Sequence, residues 1–129
     1  MKTTLKINVE VKKQKKLGNV YLIKVPLYRC SVELLFGKTA QKIEDMWNNG
    51  KITWEGNTRN YLEQRRVMVS FKDQNPSKGT VVHELCHATQ MILKDAGHNF
   101  YEGSKGDEPF AYLLTYLVEQ YYEVHKKIK

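Results

Sequence analysis

Asn75-Pro76-Ser77-Lys78-Gly79-Thr80-Val81-Val82-His83-Glu84-Leu85-Cys86-His87, continued by Ala88-Thr89-Gln90-Met91-Ile92-Leu93-Lys94-Asp95-Ala96-Gly97, carries the signals of one long helix. Asn75 is a good N-cap residue and Pro76 suits the first helical position. Gly97 supplies a stop, so the helix is expected to end near Ala96. Val82, Leu85, Cys86, Thr89 and Leu93 make an apolar stripe at helical spacing. His83, His87 and Gln90 lie together, away from most of that stripe.

The five residues His83 to His87 spell H-E-x-x-H. Residues four apart share a helix face, one turn from each other. Two imidazoles so placed can reach one Zn²⁺ at ~2.0–2.1 Å. Glu84, about 100° around the helix from His83, stands beside such a metal without pointing at it. There it can accept a proton from water. Two histidines on a polar face with no metal is the plainer alternative. Against it, the motif takes two of the chain's four histidines and falls on a helix with an apolar back.

A metal held by His83 and His87 needs a third protein ligand. Positions 90 and 93 are Gln90 and Leu93, so a histidine continuation of the motif is excluded. His98 lies in the Gly-rich loop just past the helix, and His125 lies among lysines near the C-terminus. The better candidate is Glu108, at the start of a last helix expected over Glu108 to about His125. One face of that helix carries Glu108, Ala111, Tyr112, Thr115, Glu119 and Tyr122. The other carries Phe110, Leu113, Leu114, Leu117 and Tyr121, a core stripe. Ala111 would let the two helices approach closely. Asp107 is the rival ligand, and also the natural N-cap of that helix. Three protein ligands leave a position for water, which reads as a catalytic rather than a structural zinc. Zinc there would lower the pKa of water to about 7 and polarise a carbonyl. Glu84 is then the general base, and Tyr112 the candidate donor to the oxyanion. Cys86 reads as a small buried hydrophobe.

His83-Glu84-Leu85-Cys86-His87-Ala88-Thr89-Gln90, with Gly106-Asp107-Glu108-Pro109-Phe110-Ala111-Tyr112 downstream, resembles the small gluzincin-type metallopeptidases. In particular it resembles short phage- and prophage-encoded proteins with these two helices. The resemblance covers residues 76–122. It implies a minimal zincin-like domain with His83, His87 and Glu108 as Zn²⁺ ligands and Glu84 as catalytic base. It also implies a strand before the metal helix, here Arg66 to Phe71, that pairs with an extended substrate. Larger gluzincins often place an Asp four residues after the ligand Glu. Tyr112 stands there instead, so a histidine must be oriented differently.

Upstream, Leu5 to Val11 alternates with period two, and Val20 to Tyr28 is a second β-rich run. The polar residues between them, ending in Gly18-Asn19, read as a hairpin turn. Cys30 to Phe36 either prolongs the second strand or forms another. Thr39 to Trp47 is helical in character and is stopped by Asn48-Asn49-Gly50. Residues 51–64 read as a loop or a frayed hairpin, and Arg66 to Phe71 as a strand. Strands followed by helices, without repeats or a linker, give one α+β domain over residues 1–129.

The chain has 129 residues, 41% of them hydrophobic and 27% charged, which suits a single soluble domain with a core of its own. Two cysteines exclude a disulfide scaffold, and no apolar run approaches a membrane span. With no signal-peptide block, the expected address is the cytoplasm. The net charge of +7 lies wholly in residues 1–29, where eight basic side chains face Glu10 alone. That segment is either a lysine-protected strand edge or a contact for a polyanion or an acidic protein. The competing function is therefore a zinc-stabilised, non-catalytic binding module that uses this hairpin to hold nucleic acid or protein.

Overall fold

The computed structural model describes residues 9–14, 18–48, 55–97 and 104–128. The fold is α+β, as expected. The strands are β1 (Val9–Gln14), β2 (Gly18–Val25), β3 (Cys30–Phe36), β4 (Gly56–Tyr61) and β5 (Arg66–Phe71). The helices are α1 (Gly37–Asn48), α2 (Lys78–Asp95) and α3 (Ser104–His125). Two 3-10 turns, Pro26–Tyr28 and Leu62–Gln64, join β2 to β3 and β4 to β5.

The strands form one mixed sheet in the order β1-β2-β3-β5-β4. Only β3 and β5 run parallel, and α1 and β4 lie between them in sequence. Parallel neighbours need such a crossover. Val67, Val69 and Phe71 face α2 and α3 in the larger core, with Val32, Leu34 and Phe36 of β3. Met68 faces the opposite core with Val20, Leu35 and Ala40 of α1. β5 is buried on both faces, and it is plain in the sequence because Val67, Val69 and Phe71 alternate with Met68 and Ser70.

Several boundaries differ from the sequence reading. Gly18 and Asn19 pair with Gln14 and Lys13, so they extend β2 instead of closing the turn. Residues 1–8, where the first strand was expected to begin, and the hairpin tip 15–17 lie outside the described residues. Cys30–Phe36 is a strand of its own, antiparallel to β2. The polar run at 51–64 contains β4. The edge strand beside α2 is consequently β4, and Arg66–Phe71 is interior, flanked by β3 and β4.

Helix α2 is capped by Ser77, whose hydroxyl accepts from the Thr80 amide at 3.2 Å, and not by Asn75. It ends at Asp95, and Gly97 takes the left-handed φ of +87° that ends helices cheaply. Its buried face centres on Val81, Leu85, Ala88 and Ile92, which leaves Val82 41% exposed. Helix α3 begins at Ser104, so Asp107 is inside the helix and not its cap.

The two helices run antiparallel. Arg65, just before β5, reaches Asp95 at the C-terminal end of α2. Tyr116 of α3 donates to the Lys24 carbonyl near that same end of the sheet. Further along α3, Tyr121 packs on Phe36 and Phe71, where β5 leads into α2.

Candidate metal centre

His83 and His87 stand on the solvent face of α2, both exposed, as the spacing requires. Their Nε2 atoms are 3.2 Å apart. Two imidazole nitrogens held tetrahedrally by one zinc at ~2.0–2.1 Å are about 3.3 Å apart. The spacing of the pair thus suits two ligands of a single ion.

Glu84 turns the other way, under the edge of the sheet, and is only 6% exposed. Thr58 pairs with Val69 in the ladder and so shares the sheet face that meets α2. Its hydroxyl donates to Glu84 Oε1 at 2.7 Å. The other carboxylate oxygen, Oε2, lies 3.8 Å from His83 Nε2. Gly56, two residues before Thr58 on the same face, makes room for this carboxylate. A Cβ on Gly56 would stand 2.7 Å from Glu84 Cγ and 3.3 Å from Oε2. A cavity of about 350 Å³ opens here, lined by Glu55, Gly56, Gly79, Thr80, His83 and Glu84. Neither Gly56 nor Thr58 stands out in the sequence, where a glycine opening a polar segment is the one available hint of a close approach.

The structure does not bring Glu108 to the imidazoles. It is exposed and lines a groove with Val25–Tyr28, at the end of the sheet opposite the start of α2. Tyr112 is in the same groove and 73% exposed. Ala111 is exposed too and lines a depression with Tyr112 and Glu119. Among the described residues no three His, Cys, Asp or Glu side chains gather as a metal site. His98 and the Asp107 side chain lie outside the described residues. Cys86, inside the motif, is half-buried and free.

Compared with family models, curated proteins and solved structures, the chain matches none of them. Among the described residues no helix is long and apolar enough to cross a membrane.

Proposed function

We propose that the chain is a zinc-dependent peptidase of zincin-like architecture, in which His83 and His87 hold the metal and Glu84 is the general base. The observation that carries this reading is the paired Nε2 atoms, 3.2 Å apart, beside a carboxylate buried to 6% exposure. Bound between the imidazoles, zinc would supply Lewis acidity to the scissile carbonyl and to water.

The chain's own residues do the rest. Thr58 engages Oε1 of Glu84, so Oε2, on the His83 side, takes the proton of the attacking water. The same carboxylate returns it to the leaving amine. Among the described residues β4 has an unpaired edge, which would pair with an extended substrate by strand addition. The resemblance implies this role for Arg66–Phe71, which is interior. Glu108 as third ligand and Tyr112 as oxyanion donor rest on sequence pattern and on the resemblance, and the geometry lends them no support.

Elemental analysis of the purified protein tests the reading. One zinc per chain, lost in His87→Ala and kept in Glu84→Gln, is expected. Glu84→Gln should also abolish cleavage of a peptide library. A folded, metal-free wild type that does not take up added zinc overturns the proposal. Glu108→Ala measured alongside decides the third ligand: loss of zinc assigns Glu108, and retention removes it.

A further inference from the structure

Three large apolar side chains project into solvent among the described residues: Leu27 at 82%, Tyr112 at 73% and Val82 at 41% exposure. Two of them, Leu27 and Tyr112, line one groove of about 550 Å³ between the turn Pro26–Tyr28 and the first turns of α3. Its other walls include Pro26, Pro109 and Tyr116, and Glu108 is its one charged lining residue. A second depression of about 410 Å³ continues along α3, sharing Glu108, Tyr112 and Tyr116 and reaching Glu119. Residues 106–125 hold Asp107, Glu108, Glu119 and Glu123 with no Lys or Arg, in a chain of net charge +7.

We propose that this groove docks a basic, amphipathic segment of a partner protein. One apolar anchor side chain of the partner sits between Leu27 and Tyr112, and its Lys or Arg residues meet Glu108 and Glu119. Exposed apolar patches with acidic borders select partners of this kind. The groove lies at the opposite end of α2 from His83, so the proposal does not rest on the peptidase reading.

The test selects a random library of peptides about a dozen residues long on the immobilised full chain and measures the winners by fluorescence anisotropy. Winners with an aromatic or aliphatic residue flanked by Lys or Arg are expected. Their affinity should fall at least tenfold against Leu27→Asp and against Glu119→Lys. Both residues are exposed, so unchanged thermal melts should accompany the loss. No winners, acidic winners, or winners indifferent to Leu27→Asp overturn the proposal. So does a wild-type dimer in sedimentation that Leu27→Asp makes monomeric, because the occupant is then a second copy.

Discussion

Thr58 Oγ1 lies 2.7 Å from Glu84 Oε1 and 3.1 Å from the Glu84 carbonyl oxygen, so the edge strand grips α2 at the H-E-x-x-H motif. A hydroxyl has one proton to donate, and the shorter contact goes to the charged acceptor. The strand therefore fixes one oxygen of the carboxylate and leaves the other beside His83.

Replacing Thr58 by Val keeps the shape and removes the donor. The buried carboxylate then loses a charge-assisted hydrogen bond. Urea unfolding should show a loss of about 1–3 kcal/mol. Thr58→Ser, which restores the hydroxyl, should recover most of it. A Val variant as stable as wild type would show that the bond contributes nothing.

Gly56→Ala should also destabilise, for a steric reason. The new Cβ meets Glu84 Cγ at 2.7 Å, so the Glu84 side chain, the strand or the helix must shift. Overpacking of this sort costs about 1–3 kcal/mol. In a Glu84→Ala background the obstructing atoms are gone, and the same substitution should cost much less. Equal costs in both backgrounds would place the strain somewhere other than this contact.

Helix α2 is legible because its signals are local: period 3.6, a nearby cap and a terminal glycine. Strand β4 is not, because Gly56-Asn57-Thr58-Arg59-Asn60-Tyr61 has no alternating apolar face. Its polar residues are satisfied from a distance. Thr58 meets Glu84, 26 positions away, and Arg59 meets Glu44, 15 positions away. Those partners appear only once the sheet has formed. The same limit applies to Glu108. The pattern on α3 separates a core stripe from a face with Glu108, Ala111, Tyr112 and Thr115; that face was expected to meet α2, and the structure leaves these four residues exposed. Which end of α2 this face reaches is set by the antiparallel return of α3. Periodicity cannot express that.

On the other side of the sheet, Glu44 is 2% exposed and accepts from Arg59 at 2.7 Å and 3.3 Å and from Ser70 at 3.3 Å. The hydrogen bond to Glu44 holds the Arg59 guanidinium above its ordinary pKa, against the opposing pull of burial. Arg59→Ala would leave a carboxylate buried without its cation. A loss of roughly 3 kcal/mol in denaturant unfolding is expected, the low end of the range for broken buried pairs because Arg59 is part-exposed. The double replacement Glu44→Leu with Arg59→Met should be far milder than Arg59→Ala alone. If the double variant is the worse of the two, the pair stabilises the fold beyond what apolar packing can replace.

Tyr121 is 1% exposed, and its hydroxyl finds no hydrogen-bond partner among the described residues. Its ring is well placed, stacked on His125 and edge-on to Phe71. Tyr121→Phe keeps the ring and removes only the stranded hydroxyl, so it should stabilise by about 1 kcal/mol at neutral pH. Burial, reinforced by Tyr122, pushes the phenol well above its ordinary value of 10.0. The native state therefore keeps this proton at pH values where the unfolded chain has lost it. Stability is undiminished below about pH 10 and falls as pH climbs above it. Cys30, whose thiol burial pushes above its ordinary 9.0, adds a decline of the same sign that starts lower. Unfolding free energies from pH 7 to 11 should thus fall less steeply for Tyr121→Phe than for wild type. The remaining slope should be reduced further by adding Cys30→Ala. Parallel curves for wild type and Tyr121→Phe would mean that the phenol ionises as readily in the folded chain as in the unfolded one.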